Sequence, residues 1–193
     1  MDNVVMIERL KTVGVEFSVG LTKDEISQIE STFGFRFPKE IAEFFSCAVP
    51  IGDGFFNYRD FSEENIRAFD DFQKNIKDMF LFDVENNTEL ICEMMDRSEC
   101  DISNKEALAT SVLSWFERSP RLIPFFSHRC FFAGMDGMPI VSFIQGVDTV
   151  FYGSDFENYL EHEFISPDEF DSDCFGEISG EIENTGIWYH VIK

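Results

Sequence analysis

Basic residues, histidine and long apolar runs are scarce in this chain of 193 residues, and each shortage narrows what it can do. Lysine and arginine number 15 against 37 aspartates and glutamates, a formal net charge of −22. A surface of that sign repels nucleic acid and anionic membranes and suits a basic partner. Three histidines occur, His128, His162 and His190, and none has the H-E-x-x-H or another ligand spacing. Gly52-Asp53-Gly54 lacks the later glycine and preceding strand of a phosphate-binding loop. No metal or cofactor is therefore expected. No run of 18 apolar residues offers a membrane-spanning helix. The opening MDNVVMIERL has acids among its first residues and no basic start before an apolar core, so no signal peptide is expected.

Paired cysteine is also lacking. Cys47, Cys92, Cys100, Cys130 and Cys174 are odd in number, and their spacings fit no disulfide framework or zinc motif. Five reduced thiols in a cytoplasmic protein are expected. His128 and Cys130 alternate on an expected strand and so share a face, the minimum for a base and nucleophile. Nothing in the sequence supplies an orienting carboxylate or an oxyanion site, so they read as ordinary sheet residues. Carboxylates are plentiful, but no glycosidase-type pair stands out. An enzyme is not expected.

What the chain does have is phenylalanine, 24 residues of it, and a capped corner from Leu21 to Phe45. Thr22 and Glu25 form a capping box at the start of a helix over 22–33. Ile26, Ile29 and Phe33 give its apolar stripe. Gly34 stands where a left-handed cap belongs, followed by Phe35. Pro38 suits the first turn of a helix over 39–47, with Ile41, Phe44 and Phe45 inward. Residues 1–20 read as a short helix carrying Val4, Val5, Ile7 and Leu10. Ser62 caps a helix over 63–79, whose Ile66, Phe69, Phe72, Ile76 and Met79 repeat at steps of three and four. Leu81 to Asn87 reads as a short strand or packed loop, and Leu90, Ile91, Met94 and Met95 as one or two helical turns. A helix over 105–118 ends at Pro120.

The period then changes to that of strands: 122–126, 129–133, 140–145 and 148–152, with turn signals at Asp136-Gly137 and Gln145-Gly146. Ser154 and Glu157 suggest a second capping box. Eleven acids and no lysine or arginine lie between Ser154 and Glu183, and 166–184 reads as an acidic loop. Ile187 to Ile192 reads as a strand returning to the sheet. Arg129, flanked by aromatics, needs a partner if buried. The expected fold is α+β: one domain over 1–193, a largely antiparallel twisted sheet covered by helices.

Several of these blocks carry a resemblance. L-T-x-x-E-I-x-x-I-E-x-x-F-G-F-x-F-P-x-E-I-x-x-F at 21–44, L-I-P-F-F-S-H-R-C-F-F at 122–132, then P-I-V-S-F and D-T-V-F-Y-G-S-D-F-E-N-Y-L follow in order. Together they resemble the SUKH superfamily, the Smi/Knr-like proteins, over roughly 16–165. Glu30 and Asp148 match positions of that family, which makes them the candidate partners of Arg129. Tyr58 stands where that family often has Trp, Ala48-Val49 where it has Asn-Gly, and Met138 where it has Asn. The resemblance implies a protein-binding module, an immunity protein that neutralises a cognate toxin, often a nuclease, by direct contact. The alternative it implies is a cytosolic regulator or scaffold of cell-wall assembly.

Two surfaces are expected to meet a basic toxin domain. Loops with Asp53, Phe55, Phe56, Asn57 and Asp60, and with Asp83, Glu85, Asn86 and Asn87, mix polar groups with aromatic anchors and are expected to hold it. The acidic run with Asp168, Glu169, Asp171 and Asp173 is expected to steer it. A monomer is favoured.

Overall fold

Twenty-four phenylalanines call for a large interior, and the chain builds one on each side of a sheet. In the computed structural model, which describes residues 2–95, 104–167 and 182–191, four strands form an antiparallel meander. They are β3 (Leu122–Phe126), β4 (Arg129–Phe132), β5 (Val141–Gln145) and β6 (Asp148–Phe151), paired in that order. β4 is buried along its whole length, as befits a central strand covered on both faces. Its alternation divides the core: Phe131 joins Ile123 and Phe125 on one face, while Cys130 and Phe132 join Leu122, Val141 and Phe143 on the other.

The first face packs on α1 (Asn3–Thr12), α2 (Lys23–Phe33), α3 (Lys39–Cys47) and α7 (Phe156–Leu160). A separate antiparallel pair, β1 (Glu16–Val19) with β2 (Ala48–Ile51), joins this layer. The second face packs on α5 (Thr88–Met94), α6 (Lys105–Arg118) and α8 (Ile187–Val191). The long α4 (Glu63–Asn86) serves both, with Phe69 in the first cluster and Ile76, Phe80 and Val84 in the second. Each fully buried Phe or Ile stabilises the fold by about 1.5–3 kcal/mol relative to exposure. The architecture is α+β, as the sequence implies.

The corner forms as its residues dictate. Glu25 N–H donates to Thr22 Oγ1 at 3.2 Å, and Thr22 N–H to Glu25 Oε2 at 2.8 Å. Gly34 ends α2 with φ +67°, and Arg121 reaches over from the start of β3 to donate to its carbonyl at 3.0 Å. A Cβ on Gly34 would meet only the Arg121 guanidinium, at 3.6 Å, so the space is open and only the backbone objects. Gly34→Val will therefore lower the unfolding free energy by about 1 kcal/mol or more through strain alone. Urea titration measures it, and an unchanged midpoint would remove the cap.

Several expectations are corrected. Residues 81–86 are not a strand or loop but the last turns of α4, which stops at Asn86 rather than 79 and is followed by Asn87 as its cap. Ile76, Phe80, Asp83 and Val84 keep helical spacing and lie inside, while Phe82 is half exposed. The polar Asp83 hides that periodicity. The C-terminal segment is tucked in, but as the helix α8 rather than as a strand. Trp188 Nε1 donates to Pro120 O at 2.7 Å and Ile187 N to Ser119 Oγ at 2.8 Å, so the end of α6 seats it. Of the N-terminal apolar residues, Met6, Ile7 and Leu10 are buried while Val4 and Val5 are exposed, and the second half of 1–20 contains β1. The cap of α7 is Asp155, which accepts from Asn158 N at 2.8 Å, while Asn158 Oδ1 reaches back to Ser154 N. Cys47 and Cys130 are free, but Cys92 is disulfide-bonded, which corrects the expectation of five reduced thiols. Cys100 and Cys174 lie outside the described residues.

Candidate functional site

The chain leaves β2 through Gly52-Asp53-Gly54 and is at once clipped to the four-stranded sheet. Ser127 N donates to Gly54 O at 2.7 Å and Phe56 N to Phe125 O at 3.1 Å, with Phe55 bridging Phe126. The clip needs glycine at 54, because its φ is +94° and a Cβ would lie 2.7 Å from the Phe126 ring. Phe55 packs on Phe125, Phe126 and Phe164, and Phe56 on Phe33, Tyr58 and Phe69. Both are half-buried, so each presents only part of its ring to solvent. They form one wall of an open groove of about 350 Å³, whose other wall is Val49, Pro50 and Ile51.

Ser18, Asn57 and Arg59 close the groove. Arg59 makes four hydrogen bonds within the fold: Nε to Glu25 Oε1 at 3.0 Å, one terminal nitrogen to Ser18 Oγ at 2.9 Å and Val19 O at 2.8 Å, the other to Gly20 O at 3.0 Å. The Thr22 backbone N–H and then Arg59 hold the Glu25 carboxyl down at about 2. Asn57 Oδ1 accepts from Arg59 N, and its carbonyl from Asn65 Nδ2. The Asp60 carboxylate accepts from Ser62 N at 2.9 Å, which lowers its pKa and fixes the entry to α4. Asp53 is exposed. The 53–60 residues thus form one surface with β1 and β2.

The 83–87 residues do not join it. They sit at the far end of α4, whose 24 residues put about 35 Å between its ends at 1.5 Å per residue. Asp83 is fully buried, accepting from Val147 N at 2.9 Å and Asn87 Nδ2 at 2.6 Å. It is a brace for the β5–β6 turn, which corrects its placement on a binding surface. Glu85 and Asn86 are exposed, with Glu85 paired to Lys105 at 3.4 Å, and Asn87 is half-buried. Asp168, Glu169, Asp171 and Asp173 lie outside the described residues.

Arg129 is buried and paired, but to neither expected partner. Its Nε donates to Glu163 Oε2 at 2.9 Å, a terminal nitrogen to Ser142 Oγ at 3.0 Å, and its guanidinium lies 3.4 Å from the centre of the Tyr152 ring. Glu30 instead accepts from Phe37 N at 2.9 Å, and Asp148 is exposed. His128 contacts Ser127 Oγ through Nδ1 and Arg129 through Nε2, not Cys130. Burial pushes the Cys130 thiol far up, and its Sγ faces the His128 carbonyl. The two side chains do not form a base and nucleophile pair.

Residue-by-residue reading of the sequence finds the loop wall of the groove and misses the strand wall. Glu16-Phe17-Ser18-Val19 does alternate polar with apolar, the one available signal. Nothing local pairs 18 with 49, and β2 carries a proline in its middle. No family model, curated protein or solved structure matches this chain.

Proposed function

We propose that this chain is a non-enzymatic, SUKH-type protein-binding module, an immunity protein that neutralises a cognate toxin by direct contact. The observation that carries this is the groove: an apolar-walled surface on a strongly acidic chain, with its arginine already committed to internal partners. Such a surface suits a protein with basic character, since apolar anchors hold and the acidic field steers. The motif order over 16–165 points the same way. Among the described residues no helix is long and apolar enough to cross a membrane. We place the protein in the cytoplasm, where the exposed free thiol of Cys47 fits, although the disulfide at Cys92 weighs toward an oxidising compartment.

The test is co-expression with the product of the adjacent gene. The expected result is a stable complex that restores growth, with association slowed by about 10–10³ as salt rises. No complex, or a partner that is not basic and whose association ignores salt, would overturn the reading.

A further inference from the structure

The groove selects among basic proteins by what it lacks. Its walls offer Ile51, 43% exposed, with Phe55 and Phe56 opposite, while its one cation, Arg59, spends four of its five N–H donors on Glu25, Ser18, Val19 and Gly20. That leaves an anionic ligand a single guanidinium N–H, on a chain whose net charge repels it. A volume of about 350 Å³ sits at the low end of the roughly 300–1,000 Å³ of small-molecule pockets, room for a large side chain and its neighbours. Strand addition along β2 is also disfavoured. β2 pairs with β1 alone, and Pro50 takes a donor from the middle of its four residues, so a ladder along it is interrupted.

The rim carries the complementary sign. Glu16 is exposed and lies opposite Ile51 in the β1–β2 register, so the two side chains share a face. Asp53 is exposed two residues beyond Ile51. Carboxylates therefore border the Ile51 end of an apolar groove. From this we infer that the groove seats a short extended segment of the protein partner, in which one bulky apolar side chain is flanked by lysine or arginine. The apolar residue fills the space between Ile51 and Phe56, and the cations meet Glu16 and Asp53. This rests on the binding-module reading and names the part of the partner that is recognised.

The test uses the full chain, ¹⁵N-labelled, with three acetylated and amidated peptides: Lys-Gly-Trp-Gly-Lys, Lys-Gly-Ala-Gly-Lys and Glu-Gly-Trp-Gly-Glu. Only the first should saturably move the amide resonances of Ser18, Ile51, Gly52 and Asn57. Ile51→Asp should weaken it at least about tenfold, the scale of a modest hot spot. Val19→Asp, at a residue 80% exposed that does not line the groove, should not. Equal shifts with the alanine peptide would reduce the effect to charge alone. Equal binding of the acidic peptide, shifts elsewhere only, or no shift at millimolar peptide would each overturn the inference. If the adjacent gene product binds and Ile51→Asp leaves its affinity unchanged, the groove fails while the binding module stands. If the peptide binds and that product does not, the reverse holds.

Discussion

Glu163→Ala will lower the unfolding free energy by about 3–5 kcal/mol, the usual loss when one member of a buried ion pair is removed. The Arg129 side chain is 9% exposed and that of Glu163 16%, so water does little to screen or replace the contact. Without the carboxylate the guanidinium keeps Ser142, His128 and the Tyr152 ring, none of which carries a negative charge. The loss also unties two parts of the chain, because Glu163 stands on the π-helical turn Glu161–Ile165 and Arg129 opens β4. Replacing both, as Arg129→Met with Glu163→Leu, should be milder than Glu163→Ala, since no charge is then stranded. Tyr159→Phe is the contrasting variant. Its hydroxyl is buried and has no hydrogen-bond partner among the described residues, so removing it should leave stability level or raised. Denaturant unfolding of the four proteins decides the matter. A loss below about 1 kcal/mol for Glu163→Ala would place the pair with solvent-screened surface bridges.

What the sequence reveals and what it hides differ by the range of the interactions involved. The Thr22–Glu25 box and the Gly34 cap depend on neighbours three to five residues away, and both form as expected. The strands at 122–126, 129–132, 141–145 and 148–151 are short runs rich in β-branched and aromatic residues between turn signals, and they pair as a simple meander. Ile187-Trp188-Tyr189-His190-Val191 has the composition of a strand and yet is a helix. Its docking on Ser119 and Pro120, 68 residues away, overrides β propensity. Arg129 is the same lesson in charge. Its need for a carboxylate is legible, but Glu163 wins over Glu30 and Asp148 because the chain after α7 folds back over β4. The groove is half legible for this reason too. Phe55 to Asp60 form one continuous loop, whereas Val49 and Ile51 join it through pairing with β1.

Asp83 tests the difference between a binding residue and a structural one. Asp83→Ala should cost about 1–3 kcal/mol, because two part-buried donors, Val147 N–H and the Asn87 amide, lose their acceptor. Gly146→Ala should do comparable harm by the opposite route. The glycine is not in a left-handed conformation, so its backbone is open to alanine, but the added Cβ would sit 2.2 Å from Asp83 Oδ2. The carboxylate must then leave Val147. Once Asp83 is alanine that collision is gone, and only the Met79 carbonyl, 3.2 Å from the Cβ, still crowds the site. Gly146→Ala should therefore cost much less in the Asp83→Ala background than in the native chain, a non-additivity expected of groups that share one contact. Chemical denaturation of the two single variants and the double variant measures it. Partner affinity should be unchanged in every variant that remains folded, because the brace lies about a helix length from the groove. Lost affinity with native stability in Asp83→Ala would instead return the far end of α4 to the binding surface.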